Sequence, residues 1–164
     1  MRRSKSLGAA LFAATALIVA ISSSTTASPA SGVTPTLVAR GSYDAFKAMA
    51  YPDGSGLFKV EAKSPVDVIV RRHDYAAGGS TGWHAHPYPV LITVISGEVT
   101  FYDYNDPTCS PTVVRAGEGY VDSGTGHLGR NESGAPAVDV SVIMAPVGLP
   151  FRQELDAPAP NCGF

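Results

Sequence analysis

Charged side chains are scarce in this sequence, in which Asp, Glu, Lys and Arg together make up only 16% of 164 residues. Coiled coils and helical bundles carry many more charges on their surfaces, and the 17 glycines and 13 prolines would interrupt their helices. A formal net charge of -2 argues against binding to nucleic acids or anionic membranes, because both require clustered lysine and arginine. The composition therefore favours a loop-rich, mostly β protein.

Several motifs of common enzymes are also missing. The sequence contains no P-loop, no dinucleotide-binding fingerprint and no CxxC pair. Residues 78–82 fit the G-x-S-x-G pattern of hydrolase nucleophiles, but that motif requires a helix directly after it. Pro87 and Pro89 follow instead, and prolines so close together exclude a helix there. We therefore expect no serine-hydrolase chemistry.

Residues 1–27 have the three parts of a secretory signal peptide. Basic side chains at positions 2, 3 and 5 precede an apolar run at residues 7–21, and small polar residues then lead to a cleavage position after Ala27. Cleavage after Ala30 is the alternative. A membrane anchor is the competing interpretation, but this run of fifteen residues covers only about 22 Å of a hydrocarbon core of roughly 30 Å. We predict a secreted protein, with no membrane association once the signal peptide is removed.

The remaining chain is expected to form one domain. Residues 28–41 are rich in Ser, Pro, Thr and Gly, which predicts a short disordered N-terminal extension. Residues 42–164 are expected to be the domain itself. Residues 42–50 could form one or two helical turns at its start, and beyond them the pattern is that of short strands.

Short runs rich in β-branched residues, separated by glycine and proline, dominate the domain. At residues 66–71, three valines alternate with an aspartate, an isoleucine and an arginine, which predicts a strand that is apolar on one side and mixed on the other. Two further runs, at residues 90–95 and 99–104, are separated by Ser-Gly-Glu, a hairpin signal. Strands at this spacing predict an all-β fold, either an antiparallel sandwich or a barrel.

Two cysteines, Cys109 and Cys162, allow only one pairing. An exported protein meets an oxidising environment, so we expect a disulfide between them rather than two free thiols. The bridge would tie the C-terminal tail to the turn near residue 107. Closing a loop of 52 intervening residues stabilises a fold by roughly 4 kcal/mol in the chain-entropy model. Neither cysteine is near a histidine in the sequence, which favours a structural role.

Four histidines provide the main indication of function. His84 and His86 are two residues apart, and side chains at this spacing on an extended backbone project to the same side. Their neutral imidazoles suit Zn, Fe, Mn, Ni or Cu. His127 lies downstream in a glycine-rich segment. His73 follows two arginines at the end of a strand, and we expect it to be a surface or rim residue.

Two motifs around these histidines resemble those of the cupin family, G-x5-H-x-H-x(3,4)-E-x6-G and G-x5-P-x-G-x2-H-x3-N. The matching positions are Gly78, His84, His86 and Gly97 in the first motif, and Gly124, His127 and Asn131 in the second. The resemblance covers about residues 56–146 and implies an antiparallel jelly-roll β-barrel. It also implies one divalent transition metal, bound by His84, His86 and His127, and a homodimer joined through sheet edges.

The sequence departs from the family pattern at the fourth ligand. Val90 stands where the family places a metal-binding glutamate, Leu91 is no better at the alternative spacing, and Asp122 replaces the proline of the second motif. Glu98, Asp122 and Tyr102 are candidates to approach the ion, and water is the simpler fourth ligand. The alternative is a degenerate site, in which the histidines line a wet barrel and bind nothing.

Three histidines with open coordination positions are what a catalytic metal needs. The resemblance therefore predicts a metal-dependent enzyme, oxidative or otherwise, that acts on a small organic molecule, with Val90 and Tyr102 in the cavity wall. The family also contains isomerases, decarboxylases and storage proteins, and the fold alone does not choose among them. The competing prediction is a non-catalytic module that binds a small ligand, with the metal as an anchor or absent.

Overall fold

The computed structural model describes residues 28–51, 56–158 and 162. The predicted signal peptide, residues 1–27, lies outside the described residues. Within the described ranges, the regular secondary structure consists of β-strands alone. The same ranges contain no helix with the length and apolar character needed to cross a membrane.

Twelve strands occur in the described part of the chain. Their bounds, in chain order, are β1 Ser31–Tyr43, β2 Phe46–Ala50, β3 Phe58–Ala62, β4 Val66–Ser80, β5 His84–Ala85, β6 Val90–Ser96, β7 Glu98–Asp103, β8 Thr112–Arg115, β9 Gly119–Asp122, β10 His127–Arg130, β11 Ala137–Pro146 and β12 Gln153–Glu154. Strands β2 and β3 pair only with each other within this part, and the remaining ten belong to one continuous sheet.

The continuous sheet folds into two layers. One layer has the order β1-β4-β11-β6-β9 and the other the order β12-β5-β10-β7-β8, with antiparallel neighbours throughout. The long strand β4 joins the layers, because its last residue, Ser80, lies opposite Arg130 of β10. This arrangement is an antiparallel jelly-roll barrel, so the predicted fold class is confirmed.

The main core lies between the layers, where alternate side chains of facing strands meet. Every second residue of β11 is buried, and β6 buries Val90, Ile92 and Val94 in the same way. Val99 and Phe101 of β7 approach them from the other layer. Because full burial of such a side chain contributes about 1.5–3 kcal/mol, these contacts are a large part of what holds the two layers together.

Strands β6 and β7 occupy the two runs that the sequence predicts, but they do not form the predicted hairpin. Strand β6 pairs with β9 and β11 in one layer, whereas β7 pairs with β8 and β10 in the other. Gly97 lies at the crossing with a φ of 71°, and a Cβ there would lie 2.7 Å from the carbonyl oxygen of Pro136. Glycine is therefore required at this position because the chain crosses there from one layer to the other, and not because it forms the turn of a hairpin.

Residues 31–43 form a strand, which corrects the prediction of a disordered extension at residues 28–41. Strand β1 runs along β4 from Ser31, opposite Ser80, to Tyr43, opposite Val66. Without this partner, the edge of β4 would present a row of unpaired backbone N–H and C=O groups. The composition of the segment resembles that of a linker, and pairing along β4 overrides it.

The helical turns predicted at residues 42–50 are wrong as well. Tyr43 ends β1, and β2 then pairs with β3 from Phe46, opposite Ala62, to Ala50, opposite Phe58. A helix of one or two turns gains few hydrogen bonds after its unfavourable nucleation. Pairing with a second strand satisfies the same backbone groups without that cost.

The predicted disulfide joins Cys109 to Cys162, with Cα atoms 5.6 Å apart. Cys162 is buried with Trp83, Tyr102 and Leu128 in an apolar cluster that is separate from the main core. Because Tyr102 alternates with residues that face the main core, this cluster lies on the opposite side of its layer. The bridge therefore fixes the C-terminal tail away from the histidines.

Candidate metal centre

Three histidines meet in the layer that contains β5 and β10. His84 is in β5, His86 follows this strand directly, and His127 begins β10, where it lies opposite His84. All three side chains are buried. The ring centroids of His84 and His127 are 4.4 Å apart, and one ligand nitrogen from each of the three rings lies within 4.8 Å of the others. The structure thus brings together all three sequence-predicted histidines.

The Nδ1 atom of each ring faces an acceptor outside the cluster. In His84 it lies 2.8 Å from the carbonyl oxygen of Gly82, and in His86 it lies 2.6 Å from that of Phe151. A carbonyl can only accept, so Nδ1 carries the proton in both rings and Nε2 keeps its lone pair for a metal. Nδ1 of His127 is 3.1 Å from a carboxylate oxygen of Asp122, in an approach less linear than a hydrogen bond.

Burial favours the neutral form of these imidazoles. Loss of water lowers the pKa of His84 well below its usual value, and the neighbouring His127 adds to this effect. The same causes lower the pKa of His86 to about 4. Burial by itself would raise the pKa of Asp122, but the interactions with His127, the backbone of Gly124 and His86 together outweigh burial, so that the pKa is lowered and the carboxylate is charged. At neutral pH His84 and His86 are therefore neutral nitrogen donors, the form that metals bind.

The donor set fits a transition metal. Three neutral imidazoles suit Zn, Fe, Mn, Ni or Cu and leave coordination positions open for water or a ligand. In the part of the chain that the structure describes, no other three His, Cys, Asp or Glu side chains are placed to share one ion. Glu98 pairs instead with Arg115 at 3.3 Å, and Asp122 stands behind His127. Water stays the simpler fourth ligand.

The two side chains predicted in the cavity wall are placed differently. Val90 lines the cavity beside the three histidines. Tyr102 follows the cavity-lining Phe101 on β7, and successive side chains of a strand point to opposite faces. Its hydroxyl donates to Glu132 at 2.9 Å, and its ring packs in the apolar cluster around the disulfide. The prediction for Tyr102 is therefore wrong.

A cavity of about 160 Å³ lies between the layers, with the three histidines on one side. Its apolar lining residues are Val33, Val90, Ile92, Phe101, Ile143 and Phe151. Polar side chains of β4 and β11 form the side opposite the histidines. They include Arg71, His73, Tyr75, Asp139 and Ser141.

Asp139 is the centre of this opposite wall. Only 1% of the residue is exposed. One carboxylate oxygen lies 2.8 Å from Nδ1 of His73, and the other accepts a hydrogen bond of 2.7 Å from the Tyr75 hydroxyl. His73 is paired with Asp139 in the β4–β11 register and lines the cavity, so its prediction as a surface or rim residue is wrong. A carboxylate is rarely buried this deeply unless it is paired, and here the imidazole and the phenol are its partners.

The polar wall follows from the direction in which β4 faces. Its mixed side, with Ile69, Arg71 and His73, points into the barrel, while Val68 and Val70 lie on the other side. The alternation in the sequence shows that β4 has an apolar side and a mixed side. Because the apolar side of a strand normally faces the core, the sequence alone suggests the wrong side for this strand. Sequence reasoning therefore missed the arginine, tyrosine and aspartate of this wall.

Residues 71–143 match the cupin domain family. The matched segment runs from β4 to β11 and contains His84, His86 and His127. The jelly-roll topology and the meeting of these three side chains agree with it. This segment is a cupin domain. Among curated proteins, none matches this cupin.

Several solved structures resemble parts of this cupin. An oxalate oxidase in complex with the substrate analogue glycolate is 28% identical over 49% of this chain and 46% of its own, with a TM-score of 0.40. A conserved protein with a double-stranded β-helix domain from Klebsiella pneumoniae is 22% identical over 69% of this chain and 85% of its own, with a TM-score of 0.47. An oxalate decarboxylase from Lactobacillus farciminis, as a formate complex, is 16% identical over 54% of this chain and 26% of its own, with a TM-score of 0.46. The cupin thus spans about half the length of the oxalate oxidase.

Proposed function

We propose that this protein is a secreted, metal-dependent cupin enzyme that acts on a small organic molecule. One divalent transition metal is held by His84, His86 and His127. The observation that supports this most strongly is the orientation of the three rings, whose Nδ1 atoms each face an acceptor outside the cluster. Such outer acceptors fix the tautomer and direction of a metal-binding imidazole in known metal sites.

A metal held by three side chains with open positions supplies Lewis-acid chemistry, activated water or O₂ chemistry, depending on its identity. The chain itself supplies the surroundings. Val90, Ile92 and Phe101 exclude water from one part of the cavity, which strengthens electrostatic interactions within it. His73, held by Asp139, places an imidazole in the same cavity, where it can donate or accept a proton.

The metal site is tested by the metal content of the purified protein. After aerobic purification without chelator, we expect about one transition-metal ion per chain in the wild type and almost none in the His84→Ala/His86→Ala double variant. His73→Ala is the matched control, because it removes a histidine from the same cavity but not from the cluster. Equal and near-zero metal in all three proteins would contradict metal binding.

A non-catalytic module that binds a small ligand is the second candidate. It is favoured by Val90, which puts an apolar side chain where the family has a metal-binding glutamate. Oxygen consumption by the metal-loaded protein, measured across a panel of phenols and diketones, separates the candidates. Turnover of any member supports an oxidative enzyme, and a uniformly silent panel favours a binding module or a non-redox enzyme.

Export is part of the proposal and rests on residues 1–27, with the disulfide between Cys109 and Cys162 in agreement. Expression of the full chain in a secreting bacterial host tests it. We expect protein in the culture medium whose first residue is Ser28, or Ser31 for the alternative cleavage. An intact N-terminus in the cell fraction would contradict export. A homodimer joined through sheet edges stays a prediction.

A further inference from the structure

One arginine in the cavity has no carboxylate partner among the residues that the structure describes. Five of the six arginines within residues 28–51, 56–158 and 162 lie within 3.8 Å of a carboxylate oxygen. They are Arg40, Arg72, Arg115, Arg130 and Arg152. Arg71 is the sixth, and within the same ranges it forms neither an ion pair nor a side-chain hydrogen bond. A guanidinium carries five N–H donors, and those of Arg71 are left to bind water or a ligand that enters the cavity.

The surroundings of Arg71 do not neutralise it. Its guanidinium carbon lies 5.2 Å from the centre of the Phe151 ring, a contact that holds the side chain in place but offers no lone pair. The nearby carboxylate of Asp139 is already occupied by His73 and Tyr75. Burial lowers the pKa of Arg71, and the positive charge of Arg152 lowers it further. An acceptor supplied from outside the chain would relieve both effects.

Arg71 shares its cavity with the three histidines. Both groups line the same space of about 160 Å³, which is small compared with ligand sites of roughly 300–1,000 Å³. Only a molecule of a few carbon atoms can reach from one to the other inside this space. A neutral molecule would leave the arginine uncompensated, whereas a carboxylate accepts two parallel hydrogen bonds from a guanidinium.

We propose that Arg71 forms a carboxylate-binding subsite and that the ligand of this cavity is a small organic acid. One carboxylate binds Arg71, and the rest of the molecule extends toward His84, His86 and His127. This assignment of ligand class rests on the proposed function, because the same molecule would be the substrate. A phosphate dianion is less well matched, since both of its charges lie on one group beside Arg71, whereas a dicarboxylate can place its second charge at the other end of the molecule, toward the histidines.

Arg72 provides a matched control on the same strand. It follows Arg71 directly, so it points to the outer face of β4, where it pairs with Asp74 at 2.6 Å. Arg71→Met and Arg72→Met remove the same charge from adjacent positions, and only the first changes the cavity. Arg71→Lys keeps the charge but loses the planar pair of donors, and it serves if Arg71→Met does not fold.

Titration calorimetry tests the subsite on the mature protein, both zinc-loaded and metal-free. The probes are acetate, malonate and succinate, with malonamide as the neutral match and inorganic phosphate as the competing anion. We expect at least one carboxylate to bind the wild type more tightly than malonamide or phosphate. Its affinity should fall about 10- to 100-fold in Arg71→Met, clearly in Arg71→Lys, and by less than about twofold in Arg72→Met.

The outcomes separate this proposal from the metal site. Carboxylate binding that Arg71→Met weakens in the metal-free protein supports the subsite, even if the wild type proves unable to hold zinc. The subsite proposal is rejected if none of the three carboxylates binds the wild type at up to about 10 mM. Equal affinity in wild type and Arg71→Met, or a preference for malonamide or phosphate, rejects it too. Zinc content, measured in each preparation, reports on the histidines alone.

Discussion

The two walls of the cavity both contain histidine, but they hold the ring in different ways. On the metal wall, which is formed by His84, His86 and His127, the first two rings donate to backbone carbonyls and the third faces the carboxylate of Asp122. On the opposite wall, His73 is held by the carboxylate of Asp139, and Arg71 lines the same cavity. The comparison shows how one residue type can serve two purposes in one cavity. On the metal wall the outer acceptors orient three imidazoles toward one point, whereas on the opposite wall the imidazole is paired within the wall itself and borders the space that a ligand would occupy.

Removing one histidine from each wall gives the largest expected difference. We expect His127→Ala to lower zinc affinity by at least about 100-fold, because only two of the three nitrogen ligands remain. His73→Ala should leave zinc affinity within about threefold of the wild type, since His73 belongs to the other wall. Competition with a chromogenic chelator measures both affinities. Similar losses in the two variants would mean that the walls do not have separate roles.

The stability of the metal-free protein should depend on pH through the metal wall. The pKa of His86 is lowered to about 4, mainly by burial, whereas that of an unfolded histidine is near 6.5. Between these values the unfolded chain binds a proton that the folded chain does not. Stability should therefore fall as the pH drops from 6.5 to 4, by about 3 kcal/mol, and then level off with respect to this group.

Urea unfolding of the metal-free protein at several pH values measures this effect, with His86→Gln as the control. The variant should lose part of the slope between pH 6.5 and 4, and the remainder should come from His84, whose pKa is lowered as well. Asp67, whose pKa is lowered to about 2 by hydrogen bonds from Ser42, the backbone of Gly148 and Arg40, acts in a separate window. Its contribution is present above pH 3.8 and is lost only below it. A wild-type profile that is flat above pH 4 contradicts the prediction for His86.

The carboxylates behind the two sets of histidines should differ in their effect on metal binding. Asp122→Asn should lower zinc affinity about 10- to 100-fold, because the charge behind His127 is lost. Asp139→Asn makes the same change behind His73 and should leave zinc affinity nearly unchanged. The same chelator competition measures both. If Asp139→Asn has the larger effect, our assignment of the two walls is reversed.

The smallest expected effect concerns the stability of the polar wall. Tyr75→Phe removes the hydroxyl that donates to Asp139 and leaves a buried carboxylate oxygen without its donor. We expect a loss of about 1–3 kcal/mol in the free energy of unfolding, measured with urea in the metal-loaded protein. Tyr43→Phe, at an exposed position, should be neutral. Equal stability of the wild type and Tyr75→Phe would show that this hydrogen bond contributes nothing.

The sequence predicts the metal wall far better than the opposite wall. His84 and His86 are close in the chain, and a spacing of two residues on an extended backbone is enough to place both on one side. His127 is identified by a second motif at a recognisable spacing. Asp139 and His73, in contrast, meet only through the register of β4 and β11. No local pattern links an aspartate in one strand with a histidine in another.

The same distinction applies to the fold. Alternating β-branched residues predicted the strands and the all-β class, and two cysteines predicted their own pairing. The hairpin at Gly97, the disordered extension and the placement of Tyr102 were wrong, because each depends on which strands become neighbours. Pairing of β1 with β4 and the separation of β6 from β7 are tertiary events that local propensity does not contain.

By itself, therefore, the sequence determined the kind of element, the three candidate metal ligands and the cysteine pair. The first two depend on short spacings or on a motif, and the third follows because the chain has only two cysteines. Only the tertiary structure decided that the mixed side of β4 faces inward and that Arg71, His73 and Asp139 share a cavity with those ligands. The physical reason is that the two-residue period of a strand assigns side chains to two faces but does not determine which face points into the barrel. That choice depends on the strands packed on either side.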